Sequence, residues 1–319
     1  MDHRAFEELQ TVLTRFGRTD YDVALLEQLV EAGAIVAIRD HDGHVVWSGR
    51  RLADTGALRH TGPATPDDQH LAPRFIGPDG APLPPGHRAA EVARQTGRPT
   101  LGCYGIEIAG EPTTWLNSAI LPLNQAAEGW SVLAVALPIR GRPAAPEATL
   151  APALLNAPPA VAHPSAAARS AHTDSATEVR APLEAFGAPT WAPLVGALAD
   201  AGAVVTVRDT DGGMTWSSPV LHDMFQTFAQ RVYGRRYSRG AQHYRPDGSA
   251  MPLAERVSDR VRLSGRPELG DVYGIVAADG SLVWLHMVAL PIATSVRACP
   301  IVGIGFIIEG GLATLRAVA

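Results

Sequence analysis

The chain has 319 residues, room for two domains of ordinary size, and its 46% hydrophobic and 18% charged content supports buried cores. That balance excludes a chain disordered throughout. A net charge of −5 without a long basic run sets aside a nonspecific grip on nucleic acid, so direct nucleic-acid binding is not expected.

The first ten residues, MDHRAFEELQ, are acidic and polar and do not read as a secretory signal. Phe6, Leu9, Leu13 and Phe16 then fall on one helical face ahead of Gly17, which predicts an amphipathic helix within residues 1–20. A helix this short is marginal alone and must pack on something. Val23, Leu26 and Val30 predict a second helix, ended by Gly33. The β-rich runs AIVAIRD and VVWS follow, separated by His41-Asp42-Gly43-His44. Asp-Gly between two such runs predicts a hairpin, because glycine accepts positive φ. A weakly periodic region with a helical piece at Arg88–Gln95 comes next. Three more strands close the unit, near 100–109, 114–123 and 130–139.

This order is written twice. LLEQLVEAGAIVAIRDHDG from Leu25 answers LVGALADAGAVVTVRDTDG from Leu194, TGRPTLGCYGI from Thr96 answers SGRPELGDVYGI from Ser264, and TWLNSAILPL answers VWLHMVALPI. The offset stays at 168 or 169. The expected organisation is an N-terminal helix (1–20), a first domain (21–140), a connector (141–189), a second domain (190–310) and a tail (311–319). The connector holds 16 alanines and 8 prolines, a composition that predicts an extended or mobile segment. Runs of strands bracketing short helices predict an α+β fold with an antiparallel sheet in each domain. The longest apolar run, Ala298–Ile308, is too short to span a bilayer, so no membrane partner and a cytoplasmic location are expected.

The hairpin, the helical middle and then GRPTLGCYGI…TWLNSAILPL resemble PAS sensor domains, in which a Gly-Arg-Pro turn opens the third strand. The resemblance covers both copies. It implies a five-stranded antiparallel sheet with helices over one face, often enclosing a small-molecule pocket, and a role in sensing or signal transmission through domain or dimer packing. It further implies the flanking N-terminal helix as a dimer contact. No kinase, cyclase or DNA-binding output segment follows Glu309 in the sequence.

Several residues are candidates for a ligand site. In the last strand of each copy, Ala134 and Ala136, or Gly303 and Gly305, put only small residues on one face. On a central strand this marks a close approach by a ligand or by a helix; the helix is the preferred reading. Asn117 and His286 stand two positions after the paired Trp115 and Trp284, where a polar group either bonds a ligand or faces solvent. Tyr104 and Tyr273 sit in the repeated Tyr-Gly-Ile. Tyr233, Tyr237, His243 and Tyr244 gather in the middle of the second copy and make it the better candidate for a polar-aromatic pocket. The tryptophans, with Trp47 and Trp216, read as core or interface anchors.

Enzyme chemistry finds little support. All 27 basic residues are arginine, so a phosphate-loop lysine, a Schiff-base lysine and a kinase strand lysine are absent. No His-Glu-x-x-His, Gly-x-Ser-x-Gly or Cys-x-x-Cys occurs, and Cys103 and Cys299 do not pair by spacing. His41-x-x-His44 reads as a solvated turn rather than a metal site, because Thr210 and Gly213 replace both histidines in the second copy. His87 reads as a helix-start residue rather than a haem ligand, and no Asn-Cys-Arg-type flavin motif is present. No cofactor is specified. The expected protein is a non-enzymatic regulator with a small-molecule ligand, a homodimeric or signalling-protein partner, or both. A ligand-free interaction scaffold is the alternative, and a hydrolase using His243 or His286 stands third.

Overall fold

The computed structural model describes residues 3–49, 74–77, 80–107, 113–126, 129–139, 174–224, 242–276, 282–292 and 298–308. Its contacts divide the chain into two compact units, Met1–Arg140 and Gly141–Ala317. Each is built the same way.

In the first unit, α1 (His3–Arg15) packs on α2 (Val23–Ala32) and on β2 (Val45–Ser48). Leu9 and Leu13 are fully buried and Phe16 nearly so. Leu9, Leu13 and Phe16, which suggested a dimer contact, are thus used inside their own unit. Asp22 caps α2 by accepting the Ala24 N–H, and Gly33 ends it in the left-handed region at φ 107°.

The strand order is β2-β1-β6-β5-β4-β3, with β1 (Ile35–Arg39), β3 (Arg74–Ile76), β4 (Thr100–Glu107), β5 (Thr114–Ala126) and β6 (Gly129–Ile139), all antiparallel to their neighbours. The last strand is thus central, as the PAS resemblance implies. The sheet has six strands rather than five: β3 adds to the β4 edge, and a turn in which Gly77 N–H reaches Ala81 O at 2.8 Å follows it. Helix α3 (Ala89–Thr96) lies over β4, β5 and β6.

The second unit repeats this as α4 (Ser175–Glu184), α5 (Ala192–Asp200), β7 (Val204–Arg208), β8 (Met214–Ser217), β9 (His243–Tyr244), α6 (Val257–Ser264), β10 (Glu268–Val276), β11 (Leu282–Pro291) and β12 (Ile301–Ile307). Its sheet order is β8-β7-β12-β11-β10-β9. Helix α4 corrects the connector boundary. Alanine and proline content predicts an extended or mobile segment through residues 175–184, but Asp174 caps a helix there and Val179 and Leu183, one turn apart, are fully buried. The run Val179, Leu183, Phe186, Gly187 repeats Leu9, Leu13, Phe16, Gly17. The duplicated unit therefore begins at its first helix, at His3 and Ser175, ahead of the expected starts at 21 and 190. Helix α4 packs closely on α5 at Gly196, where a Cβ would fall on the Ala176 backbone.

The doubled Arg-Asp-x-Asp-Gly stretch forms the predicted hairpin in both units. Asp40 accepts the N–H groups of Asp42 and His44, and Asp209 those of Asp211 and Gly213. The turn also receives the helix above it. Arg94 of α3 bonds the His41 carbonyl and Glu91; Arg262 of α6 bonds the Thr210 carbonyl at 2.9 Å and Asp259 at 3.4 Å. Among the described residues no helix is long and apolar enough to cross a membrane.

Candidate functional site

Alternation decides what each sheet face presents. In the first unit Ile35, Ala37 and Arg39 of β1, Ala134 and Ala136 of β6, Leu116 and Ile120 of β5, and Tyr104 and Ile106 of β4 share one face. They line a cavity of about 170 Å³ beneath α3. The register explains the space. One row across the sheet reads Ile35, Ala136, Ser118, Gly102, and the next reads Ala37, Ala134, Ile120. Small side chains fall side by side, and the helix contributes only Ala89, Ala90 and the arms of Glu91 and Arg94 to the lining. Phe75 of β3 and the Tyr104 ring meet at 5.7 Å along one side.

The same rows in the second unit read Val204, Gly305, Met287 and Thr206, Gly303, Ala289. Met287 replaces Ser118, and its side chain covers both glycines. A Cβ at Gly303 would lie 3.2 Å from the Met287 sulfur, and one at Gly305 would lie 3.2 Å from its methyl. At Gly303 the group nearest such a Cβ is Thr206 Oγ1, at 2.8 Å, with the Met287 sulfur next; at Gly305 it is the Met287 methyl. Tyr273 donates its hydroxyl hydrogen to the Met287 sulfur at 3.3 Å. Burial pushes its phenol up to about 12, against the lowering pull of Arg208 and Arg256.

Of the residues singled out in the sequence, Tyr104, Ala134 and Ala136 line the cavity together. His243 and Tyr273 stack with centroids 5.1 Å apart in the second unit, and Tyr233 and Tyr237 lie outside the described residues. Asn117 and His286 are corrected. Each shares a face with its tryptophan, as parity requires, but that is the sheet face opposite α3 or α6. They face neither cavity nor solvent, being only 1% and 2% exposed. The amide atoms of Asn117 have no hydrogen-bond partner. His286 Nε2 lies 3.1 Å from the Gly270 carbonyl, and burial holds its pKa down near 4. His243 and His286 are thus on opposite faces and do not converge as an acid–base pair.

Two sets of residues were missed. Arg39 and Arg88 reach the cavity rim from β1 and from the start of α3, beside Tyr104. Arg208, Arg256 and Tyr273 stand at the corresponding places of the second unit. Loss of water, then the neighbouring Arg39, lowers the pKa of Arg88; loss of water lowers that of Arg256 to about 10, with Arg208 adding to the effect. Repetition of these three types at offsets of 169, 168 and 169 was a legible signal. Asp40, Asp42 and His44 bring ligand atoms within 4.8 Å of one another, but the same Asp bonds recur in the second unit, where no histidine follows. Turn formation accounts for that cluster.

No family model matches the chain, and no curated protein matches it in sequence. Solved structures do. An RNA-binding light-oxygen-voltage receptor aligns over 90% of this chain and 98% of its own, at 14% identity and a TM-score of 0.24. The PAS domain of nitrogen regulation protein NR(II) from Vibrio parahaemolyticus aligns over 33% of this chain and 89% of its own, at 16% identity and 0.24. A fungal LOV-domain photoreceptor aligns over 33% and 74%, at 17% and 0.25. Likenesses at these scores carry no argument about what this chain binds. One expectation is nevertheless withdrawn. Net charge had been used to exclude nucleic acid as a partner, yet an RNA-binding receptor is among the structures this chain resembles. The charge of a whole chain does not report a local surface, so the exclusion does not stand.

Proposed function

We propose that this chain is a cytoplasmic, non-enzymatic sensory protein of PAS type, whose first unit takes up a small ligand between its sheet and α3. The second unit keeps the same architecture with Met287 set against Gly303 and Gly305. A ligand switches such a protein only by binding one arrangement of the helical layer better than another. A cavity under a short helix anchored through Arg94 to a hairpin turn is suited to that.

The observation that carries the reading is the divergence of two otherwise parallel units: about 170 Å³ stands open against Ala134 and Ala136, where the second unit sets Met287 against Gly303 and Gly305. Met287 at that place in the second unit is also what favours the alternative of a ligand-free interaction scaffold. One experiment separates them. In the triple variant Ser118→Met, Ala134→Gly, Ala136→Gly, the first unit acquires the residues of the second. Native mass spectrometry of freshly purified chain is expected to show a retained small molecule that the variant lacks. A wild-type chain carrying only its own mass, and responding like the variant in a thermal-shift screen of small molecules, would support the scaffold instead.

A further inference from the structure

We infer that the cavity of the first unit binds a small anion with an apolar body, a carboxylate held by Arg39 and Arg88. The inference rests on the ligand-binding reading above and names the class of ligand.

Four charged side chains line the cavity: Arg39, Arg88, Glu91 and Arg94. Glu91 and Arg94 neutralise each other through two hydrogen bonds, at 2.6 and 3.0 Å. That leaves two guanidiniums of the same sign. Arg39 donates from Nη1 to the Gly43 carbonyl at 2.8 Å, a bond that orients it without cancelling its charge. Arg88 lies over the Phe75 ring at 4.0 Å, and its Nε is buried with no hydrogen-bond partner. Among the described residues, neither is ion-paired to a carboxylate.

Placing two like charges at the mouth of an apolar cavity is costly unless something of opposite sign completes the site. The cost is visible in the lowered basicity of Arg88, caused by lost hydration and by Arg39. The second unit repeats the pair as Arg208 and Arg256, with Tyr273 for Tyr104, although Thr206, Ala289, Gly303 and Gly305 stand where the first has Ala37, Ile120, Ala134 and Ala136. The pair is therefore a built feature and not a chance of one loop. A guanidinium presents a planar fork that suits a carboxylate. Tyr104 adds a hydroxyl, raised in pKa by burial and hydrogen-bonded to Ser118, to the same lining. Below this polar rim Ile35, Ala37, Leu116, Ile120, Ala134 and Ala136 form walls with no polar side-chain atom, which fit a hydrocarbon or aromatic body rather than a bare inorganic ion.

Phenylacetate and its neutral amide, phenylacetamide, differ little except in charge and serve as the probe pair. Calorimetric titration into the full chain at low salt is expected to show the acid binding about tenfold more tightly, as charged hydrogen bonds to two arginines require. Arg39→Gln and Arg88→Gln should each bring the two affinities together, while Arg88→Lys keeps part of the preference. Circular dichroism checks that each variant is folded, and should Arg88→Gln unfold, Arg39→Gln alone decides. Equal binding of both probes to the wild type overturns the anion inference and leaves the cavity reading standing. Binding of neither probe overturns both. A preference for the acid that survives both glutamine variants removes the two arginines from the site.

Discussion

Replacing His286 with asparagine, the residue at the matching place of the first unit, should blunt the loss of stability that acid causes. His286 is 2% exposed; Nε2 faces the Gly270 carbonyl at 3.1 Å, and Nδ1 is buried with no hydrogen-bond partner. An imidazole bonded to a carbonyl carries its proton on that nitrogen, so the ring is neutral and Nδ1 is bare. Adding the second proton would bury a charge. Burial therefore brings the pKa from 6.5 down to about 4, against smaller raising pulls from the Gly270 carbonyl and Asp271. The sign follows directly. Between those two values the unfolded chain holds the proton and the folded chain does not. Stability is intact above the unfolded pKa of 6.5 and declines as the pH falls toward 4. A gap of roughly two and a half pH units, at 1.36 kcal/mol each, amounts to about 3 kcal/mol. Urea denaturation of wild type and His286→Asn, followed by tryptophan fluorescence at neutral pH and near pH 4, measures it, since all other titrating groups are common to both proteins. The wild type should lose about 3 kcal/mol more than the variant. Parallel losses in the two proteins would refute the reasoning.

Two further predictions test the unit boundaries. Gly196→Ala should destabilise the second unit by about 1–3 kcal/mol, although alanine is the better helix former, because its Cβ would fall on the Ala176 backbone. Hydrogen exchange should show Ser175–Glu184 losing protection first; an unchanged or raised urea midpoint would mean that α4 is not packed there. Leu13→Ala should cost about 2–5 kcal/mol with no change in mass by light scattering, since Leu13 is fully buried within its own unit. A shift in mass at unaltered stability would return α1 to the role of a dimer contact.

The sheet was legible because period-two runs appear twice in one order, and the duplication tied weak local signals together. What escaped notice did so for identifiable reasons. β3 and β9 are three and two residues long, too short for alternation to show, although the Pro-Asp-Gly that follows each was a usable turn signal. Helix α4 was hidden by composition: counting alanine and proline obscured the one-turn spacing of Val179 and Leu183. For Asn117 and His286, parity correctly paired each with its tryptophan. Parity alone does not say which face a helix covers, so it could not tell that these two lie opposite α3 and α6. The arginine pair is far apart in sequence and meets only because β1 lies beside β6 and α3 begins over that part of the sheet. No local pattern links Arg39 to Arg88; the repeat does, through Arg208 and Arg256.

The outermost strands carry a consequence for how so repetitive a chain avoids mispairing. Two near-copies in one polypeptide invite a strand of either to add itself to the wrong neighbour. Within the described residues the flanks are four residues long at β2 and β8, three at β3 and two at β9. The long strands, β5 and β6 or β11 and β12, are paired on both sides. An intruding segment finds few free amides on which to register and little to hold it once there. Lengthening β9 by a few alternating valines and threonines would remove that safeguard, and the first sign should be exchange-dependent oligomers forming during refolding at high concentration.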